Sequence, residues 1–413
     1  MRILMVTEDI PAAQVGGLGK HVIALSNALI DAGHEVVLLG RADIDYSANE
    51  AEIGFRGRFI SGFQMNRNGW KEAQLGVWMP YKRLALARRI EKSIAQHSVG
   101  FDVVHYHGHL ATVGLGLPVK VPFLQTRHDQ GAECITHLRF RNGAPCQLTD
   151  ARKCAGCATS SPNWIQTEVS AYAVSQYRQA VAKNVGLRKT LFVSNFLLAQ
   201  FRRAMPDADV TAAEVVHNFV ELDKINGSSI GAESVVKGTV LLVGRIDEAK
   251  GFRQFLEAWS KAGQAQARVI VIGDGAMRQQ LETQFGSFVE FKGWLLNDLV
   301  VQYLRSAHVC VVPSVWEEPF GLTTLEALAL GRPCVALNRG GTPELADYTR
   351  YGGQLGLVNT MDELVSLTNR MLAEPVLELP LTDDYAADIR KVLPRMVSIY
   401  RNVNGAARRS GWA

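Results

Sequence analysis

Two carboxylates and two cations lie next to apolar segments in the second half of this 413-residue chain. Glu318 and Glu326 are eight positions apart, on either side of the turn Pro319-Phe-Gly321. Arg245 and Lys250 follow an earlier apolar segment. Their charges suit a pyrophosphate, whose two adjacent phosphates carry about two negative charges near neutral pH. We therefore expect one ligand whose diphosphate contacts the cations and whose other parts contact the two carboxylates.

Backbone groups at a predicted helix start are the second candidate for anion binding. The segment His308 to Val312 is predicted to be a buried strand, and Thr323 to Leu330 is predicted to be a helix. In open α/β sheets, ligands bind in loops between the carboxyl end of a strand and the next helix. The free N–H groups of Gly321, Leu322 and Thr323 would point at an anion there. Taken alone, the pair of glutamates is more typical of a capped helix with solvated side chains than of a ligand site.

Strand-like segments alternate with helix-like segments along both halves of the chain, which indicates parallel βαβ units. We therefore predict an α/β protein with two doubly wound domains and a cleft between them. A polar stretch from Asn226 to Ser234 is predicted as the linker region. The predicted domains are residues 1–222, with a cysteine-rich insertion at 130–161, residues 223–382, and a helix with a tail at 383–413.

The composition is that of a soluble globular protein, with 47% apolar and 20% charged residues. The net charge of +4 is too small to argue for nucleic acid as a partner. The N-terminal segment lacks the apolar length of a signal peptide, and no segment is long enough for a membrane span. We therefore expect a cytoplasmic protein with reduced thiols. Peripheral membrane contact is left open.

The Glu318-x7-Glu326 pair, its Pro-Phe-Gly centre and the downstream Gly340-Gly-Thr-Pro-Glu344 resemble glycosyltransferase family 4. The resemblance is strongest from Val243 to Glu344. It implies the GT-B fold, in which two Rossmann-like domains face a central cleft and the C-terminal helix crosses back to the first domain. It also implies transfer of a sugar from a nucleotide-diphosphate sugar to an acceptor hydroxyl with retention of anomeric configuration. No cofactor is implied for catalysis.

The resemblance assigns roles to the charged residues. Glu326 would bind the ribose and Glu318 would face the donor sugar, while Arg245 and Lys250 would hold the diphosphate and stabilise the leaving group. The backbone between the glutamates would hold sugar and phosphate, at Phe320, Gly321, Leu322 and Thr323. Surface cations on an ordinary strand–turn–helix are the alternative for Arg245 and Lys250.

Four further positions are predicted to contact the nucleotide sugar. Gly17 lies in a Gly-Gly-x-Gly turn that the family uses to face the diphosphate and the acceptor. Gly244 allows close approach beside Arg245. Gly273 lies in a strand-end turn that is equally typical of a structural turn, and Trp294 resembles the family's loop beside the base.

Histidines follow two of the predicted strands in the first half. The family places a histidine against the donor sugar, and His128 is that candidate, with Asp129 positioned to orient it. The spacing of His105, His107 and His109 fits neither a helix face nor a zinc finger, so we favour core histidines over a metal site for the first two.

Four cysteines, Cys134, Cys146, Cys154 and Cys157, lie in the insertion. Four thiols that end in Cys-x-x-Cys have the count of a structural zinc site. An iron–sulfur cluster and unliganded thiols are the alternatives, and the family resemblance does not bear on them. Cys310 and Cys334 lie in apolar strands and are predicted to be core residues.

The predicted partners are a nucleotide-diphosphate sugar, with UDP or GDP as the carrier, and a glycan, lipid-linked or small-molecule acceptor. Acceptor recognition is expected in loops such as Tyr46 to Trp78. A nucleotide-sugar epimerase of the same fold and a sugar-nucleotide binding protein without turnover are the alternative functions.

Overall fold

The structure is a computed structural model that describes residues 1–11, 16–65, 79–157, 163–227, 235–262, 267–375, 377, 379–380, 382 and 384–409. Parts of several sequence predictions lie outside the described residues. These parts are residues 158–161 of the insertion, 228–234 of the linker, 66–78 of the acceptor loops, and 383 and 410–413 of the last segment.

Helices and strands alternate through most of the chain. The strands are β1 (Arg2–Thr7), β2 (Glu35–Arg41), β3 (Arg58–Phe63), β4 (Val103–His107), β5 (Phe123–Arg127), β6 (Phe140–Arg141), β7 (Ala144–Pro145), β8 (Lys189–Phe192), β9 (Ala213–Val215), β10 (Thr239–Val243), β11 (Arg268–Ile272), β12 (Val289–Gly293), β13 (Val309–Val312), β14 (Cys334–Leu337) and β15 (Leu355–Val358). The α-helices are α1 (Gly17–Asp31), α2 (Glu50–Ile53), α3 (Met79–His97), α4 (Ala151–Ala155), α5 (Trp164–Leu187), α6 (Asn195–Ala204), α7 (Leu222–Gly227), α8 (Phe252–Lys261), α9 (Arg278–Phe285), α10 (Asn297–Ser306), α11 (Leu322–Ala329), α12 (Met361–Ala373) and α13 (Ile389–Arg409).

The first compact unit contains a parallel sheet with the strand order β3-β2-β1-β4-β5-β8-β9. Its central strands are buried along almost their whole length, as expected for parallel strands covered on both faces, and β1 is mostly apolar whereas β4 also carries two histidines. On one face, Leu4 and Val104 of the sheet share a buried cluster with Ile90 and Ile94 of α3. Each such side chain contributes roughly 1.5–3 kcal/mol by leaving water.

The second compact unit contains a parallel sheet with the order β12-β11-β10-β13-β14-β15. Val240 and Val311 of this sheet pack with Phe255 and Trp259 of α8 in one buried cluster. The predicted α/β fold with two doubly wound sheets is confirmed.

The two units are Met1–Arg139, Gln147–His217 and Arg390–Ala413 for the first, and Phe140–Cys146 and Asn218–Ile389 for the second. The division after His217, earlier than the predicted residue 222, has a local cause. Val220 forms a parallel bridge with Asp388, and its N–H donates to the carbonyl of Ala387 at 2.9 Å.

Helix α13 returns to the first unit, as predicted, but it begins at Ile389 and not at 383. The bridge from Asp388 to Val220 keeps the preceding backbone extended. Within the first unit, Tyr400 of α13 is fully buried, and its hydroxyl lies 2.8 Å from Nδ1 of His105. Among the described residues, no helix has both the length and the apolar character that a bilayer crossing requires.

Candidate functional site

The candidate site in the second unit lies where the strand order reverses. Strand β10 pairs with β11 on one side and with β13 on the other, so the loops after β10 and β13 leave the same edge of the sheet next to each other. This switch point is the usual ligand site of doubly wound sheets. The first loop carries Arg245 and Lys250, and the second carries Glu318.

Lys250 and Glu318 form a direct ion pair. Lys250 Nζ donates to Glu318 Oε1 at 2.6 Å, and Ser314 Oγ donates to the same oxygen at 2.5 Å. Glu318 is only 7% exposed. Burial alone would raise the pKa of Glu318, but the charge of Lys250 and the hydrogen bonds from Lys250 and Ser314 hold that pKa below its ordinary value. The carboxylate is therefore ionised near neutral pH, beside a cation that could also bind phosphate.

Arg245 reaches toward solvent beside Asp247. Its side chain is 57% exposed, and its Nε donates to Asp247 Oδ2. Asp247 also caps the next turn, because its Oδ1 accepts from the backbone N–H of Lys250 at 3.1 Å. One carboxylate thus positions both the arginine side chain and the backbone of the lysine.

Backbone contacts lock the two loops together. The N–H groups of Val315 and Trp316 both donate to the carbonyl of Ala249, at 3.0 and 3.1 Å. Gly251 has φ +70°, and a Cβ at this position would lie 2.0 Å from the carbonyl oxygen of Pro313. A glycine is needed here for both reasons. The spacing between Lys250 and Glu318 is therefore fixed by the backbone.

The strand-end turn after β11 packs directly on the loop after β10. Gly273 has φ +138°, and a Cβ there would lie 1.9 Å from the carbonyl oxygen of Gly244. Ile246 N–H donates to the carbonyl of Asp274 at 2.9 Å. These contacts favour a structural role for the turn, because the turn packs against the loop that carries Arg245. Contact of Gly244 and Gly273 with a nucleotide sugar stays a prediction.

The Gly340-Gly341 segment after β14 supports the Glu318 loop from another side. Gly341 N–H donates to the carbonyl of Glu318 at 2.7 Å, and a Cβ on Gly340 would lie 2.3 Å from the same oxygen. Arg339 Nη1 donates to the carbonyl of Val315 at 3.1 Å. The downstream motif therefore serves to position the carboxylate.

Helix α11 begins immediately after the Glu318 loop. Gly321 precedes it with φ +102°, and neither a side-chain cap nor an acidic residue is present in its first turn, all of which is described. The N–H groups of Leu322 and Thr323, which are predicted to face an anion, lie in the first turn of this eight-residue helix. No described side chain caps that turn. Glu326 lies in the second turn and is half-buried.

Two predicted contact residues differ in exposure. Phe320 is buried, with its ring 6.3 Å from that of Tyr348, so its side chain belongs to the packing of the unit. Trp294 is 40% exposed after β12 and remains available to a ligand. The assigned roles of these residues stay predictions.

In the first unit, His128 belongs to a group of four histidines. Its Nε2 lies 2.9 Å from Nδ1 of His107, whose Nε2 lies 3.1 Å from Nδ1 of His105. The ring of His21 from α1 lies 4.8 Å from that of His128. Burial lowers the pKa of His21 to about 3 and lowers the pKa values of the other three well below their ordinary range. These imidazoles are neutral near neutral pH.

Asp129 has a different partner from the one predicted. Its Oδ2 accepts from Nδ1 of His109, not from His128. The reason is topological, because His109 and Asp129 follow neighbouring parallel strands, β4 and β5. The predicted role of His128 at the donor sugar stays a prediction.

Sequence reasoning missed Glu8 and His21. Glu8 follows β1 at the switch point of the first sheet and is 2% exposed. Its Oε1 accepts from the hydroxyl of Tyr106 at 3.0 Å and from the N–H of His109 at 2.6 Å. Burial raises the pKa of Glu8. Their positions in the sequence could have identified them, because Glu8 precedes and His21 follows the glycine turn between the first strand and α1, which begins at Gly17.

The structure describes all four cysteines of the insertion without a disulfide. The described residues form two groups of three or more potential metal ligands, which are both built on histidine, and the cysteines are in neither. Burial raises the pKa of Cys134, whose Sγ lies 3.2 Å from Thr136 Oγ1, while Arg178 Nη2 lies 3.3 Å from Cys154 Sγ. The four-cysteine zinc site therefore stays a prediction from spacing.

The second-unit arrangement is suited to a phosphorylated ligand with hydroxyl groups. Exposed Arg245, Lys250 and a helix start can compensate negative charge, and the ionised Glu318 can accept hydrogen bonds from hydroxyl groups. A carboxylate without a neighbouring cation would repel a diphosphate. Because Lys250 compensates the charge of Glu318, the phosphate groups and the hydroxyl groups of one ligand can bind at the same site.

Known families match both halves of the chain. The family described as Glycosyltransferase Family 4 matches residues 15–224, and the family described as Glycosyl transferases group 1 matches residues 237–374. An uncharacterized glycosyltransferase of Methanocaldococcus jannaschii is 27% identical over 364 residues, a match that covers 85% of this chain and 84% of that protein.

Solved structures share the fold. Sucrose-phosphate synthase from Thermosynechococcus elongatus superposes with a TM-score of 0.66 at 19% identity, over 98% of this chain and 100% of that chain. HepE from Anabaena, solved in complex with UDP-glucose, superposes with a TM-score of 0.60 at 16% identity, over 99% of this chain and 95% of that chain.

Proposed function

This chain belongs to glycosyltransferase family 4, and from that premise we propose that it transfers a hexose from a nucleoside diphosphate sugar to an acceptor hydroxyl with retention of anomeric configuration. Sugar transfer follows from the family and the GT-B fold. The donor, the stereochemistry and the assignment of individual residues are the parts that we propose.

The observation that carries the proposal is the Lys250–Glu318 ion pair at the switch point of the second sheet. Lys250 and Arg245 would hold the diphosphate and stabilise the negative charge that develops on it as the glycosidic bond breaks. Glu318 would bind hydroxyl groups of the donor sugar and orient it. The acceptor hydroxyl would attack the anomeric carbon on the face from which the diphosphate departs, so no carboxylate nucleophile is needed. The departing phosphate would take the acceptor proton, so no separate base is needed either.

The nucleotide would bind beside these residues. Glu326, in the second turn of α11, would accept hydrogen bonds from the ribose hydroxyls. The exposed Trp294 would lie beside the base. UDP is the first carrier to test, because a protein of the same fold was solved with UDP-glucose. GDP is the second.

The test is incubation of the full chain with each nucleotide sugar in the presence and absence of acceptors. Candidate donors are first chosen by thermal shift, because a ligand that binds only the native state raises stability. NMR of the anomeric proton in the product then reports the configuration. We expect transfer only with acceptor and with retention.

Other outcomes would identify other functions. Conversion of the donor sugar without acceptor would make the protein an epimerase, and an intact donor with a saturable thermal shift would make it a binding protein. An inverted product would contradict the proposed stereochemistry while leaving sugar transfer in place.

We also propose, from spacing alone, that Cys134, Cys146, Cys154 and Cys157 bind a structural zinc ion. Zinc content of protein purified without added metal, compared between the wild type and Cys154→Ser, tests this. Iron with sulfide would indicate a cluster instead, and an equal metal content in the two proteins would exclude Cys154 as a ligand.

A further inference from the structure

The described residues bring two groups of potential metal ligands together, both in the first unit. One consists of His21, His107 and His128, and the other of His109, Asp129 and His137. In each group the candidate ligand atoms all lie within 4.8 Å of one another. The second group is outside the predicted catalytic residues.

Charge separates the two groups. The first contains only imidazoles, which are neutral there, and His107 already lies at hydrogen-bond distance from His128 and from His105. A buried dication among neutral groups would lack compensating charge, which is costly. The second group contains the carboxylate of Asp129, and Asp9 lies beside it.

The carboxylate of Asp129 is held in place by its two oxygens. Oδ1 accepts from the N–H of Gly131 at 2.8 Å, which fixes the direction of the side chain, while Oδ2 contacts Nδ1 of His109. Both Asp129 and His109 have side chains that are only 13% exposed. One oxygen thus anchors the carboxylate, and the other lies against the imidazole of His109.

The opposite nitrogen of His109 completes the arrangement. Nε2 lies 3.4 Å from Oδ1 of Asp9, which follows β1. Histidines that bind a metal through one nitrogen usually direct the other N–H to a carboxylate, which fixes the ring orientation. Asp9 has this position relative to His109.

His137 comes from the insertion and reaches the group from a different part of the chain. Its ring lies 5.4 Å from that of His109. Its backbone is in the left-handed region with φ +50°, which is uncommon for a residue other than glycine. Three segments of the first unit therefore meet at this point: the ends of β4 and β5, and the insertion.

We propose that His109, Asp129 and His137 bind a divalent transition-metal ion, for which zinc is the best fit, with Asp9 positioning His109. Two imidazoles and one carboxylate are a common zinc ligand set, and a water molecule can take the fourth position. For Zn–N and Zn–O bonds of ~2.0–2.1 Å, tetrahedral ligand atoms are about 3.3 Å apart. The ligand atoms now lie within 4.8 Å of one another, and His109 Nδ1 is in hydrogen-bond contact with Asp129 Oδ2, so the ion would replace that contact as the three atoms move to this spacing. The ion would tie the insertion to the sheet.

The first experiment is ¹¹³Cd NMR of the full-length wild-type protein after metal removal, with cadmium added stepwise to three equivalents, so that the proposed four-cysteine site, which prefers a soft ion, is already filled. Nitrogen and oxygen ligands give a resonance far upfield of a four-thiolate site. We expect such an upfield resonance, which zinc displaces. A spectrum with only a thiolate-type resonance, or with none, would overturn the proposal, and this result does not depend on any variant.

The second experiment compares zinc titrations of the wild type, His137→Ala and His97→Ala, which removes a histidine of α3 outside the group. We expect His137→Ala to weaken zinc binding at this site at least tenfold and to lose the upfield cadmium resonance, while His97→Ala keeps both. Equal zinc affinity in all three proteins would overturn the proposal. If His137→Ala does not fold, Asp129→Asn is used in the same comparison.

Discussion

Lys250 contributes in two ways at the residue scale, because its ammonium group pairs with Glu318 and is also the cation proposed for the diphosphate. Arg245 differs, since its side chain is 57% exposed and its partner Asp247 is close to solvent. Exposed ion pairs contribute little to stability, whereas removing one partner of a buried pair leaves an uncompensated charge. The two cations can therefore be distinguished by mutation.

We predict that Arg245→Ala and Lys250→Ala each lower kcat/KM by about 10²–10³-fold, roughly 2–4 kcal/mol of transition-state stabilisation. Arg245→Ala should leave the melting temperature unchanged, and Lys250→Ala should lower it. Steady-state kinetics and circular dichroism measure the two effects. Lys261→Ala, at the far end of α8, is the matched control.

The double variant Lys250→Ala/Glu318→Gln separates the two consequences of losing Lys250. It should recover much of the stability, because no buried charge is left unpaired, without recovering turnover. Near-normal kcat in both single variants would contradict the assignment of the diphosphate to these cations.

Glu326 and Glu318 are predicted to act on different parts of the donor. Glu326→Ala should weaken binding of the free nucleoside diphosphate, because the ribose belongs to it. Glu318→Ala should mainly lower kcat for transfer, and it also releases Lys250 for phosphate. Calorimetry with the nucleoside diphosphate measures the first effect, with Glu282→Ala as the control. Equal losses of affinity in both variants would count against separate roles.

The lowered pKa of Glu318 predicts a pH dependence of stability. Because the folded pKa is below the unfolded value, the ionised carboxylate stabilises the native state at higher pH, and this contribution is lost as pH falls through the folded pKa. The difference in unfolding free energy between the wild type and Glu318→Gln should therefore shrink between about pH 7 and about pH 3. Urea unfolding at several pH values measures it, with Glu282→Gln as the control. A difference that grows on acidification would mean that the pKa is raised.

Sequence reasoning identified the charged residues of the second unit because their spacing relative to strand ends is local information. It could not give the Lys250–Glu318 pair, which joins residues 68 positions apart through the packing of two loops. It also assigned Asp129 to the adjacent His128, whereas the neighbouring strand supplies His109. Partners across strands depend on register, which the pattern of one strand does not contain.

At the scale of elements, glycines determine how closely the loops of the second unit approach. The turn after β11 lies directly on the loop after β10, with no space for a Cβ at Gly273. The same unit contains Gly352, where an added Cβ would have no heavy atom within 4 Å. The two positions allow a matched comparison.

We predict that Gly273→Ala lowers the free energy of unfolding by roughly 1–3 kcal/mol or more, through backbone strain and displacement of Gly244. It should also lower transfer activity, because the loop that carries Arg245 moves. Gly352→Ala should be neutral or slightly stabilising, because alanine reduces the entropy of the unfolded chain. Denaturant unfolding measures both. Equal stability of the two variants would show that the turn does not support the loop.

Most parallel strands were predictable because they are short apolar runs that end in turn residues. β3 and β15 are not predictable in this way, because both lie in positions where the pattern is weak. β3 is an edge strand with Gly62 and two exposed residues, Arg58 and Ser61, and β15 is half-buried throughout. Their existence follows from pairing with β2 and β14, which is a tertiary effect that overrides local preference.

At the scale of the whole molecule, the question is whether sugar transfer needs a divalent ion. Many enzymes use a metal to compensate the charge of a departing diphosphate. Here two cationic side chains and a helix start occupy the switch point of the second sheet, and both groups of potential metal ligands among the described residues lie in the first unit. Side chains of this kind can supply the same compensation without a metal.

We therefore predict that transfer continues in the presence of a chelator. Structural zinc in the first unit could be removed by long exposure, and the resulting loss of activity would follow unfolding. The assay is therefore kept brief, and circular dichroism and zinc content are recorded on the same samples. Activity should be retained as long as the fold is retained, and added magnesium or manganese should not raise it. Loss of activity in a protein that keeps its fold and its zinc, followed by recovery with magnesium or manganese, would show that the diphosphate is bound through a metal and that Arg245 and Lys250 are insufficient.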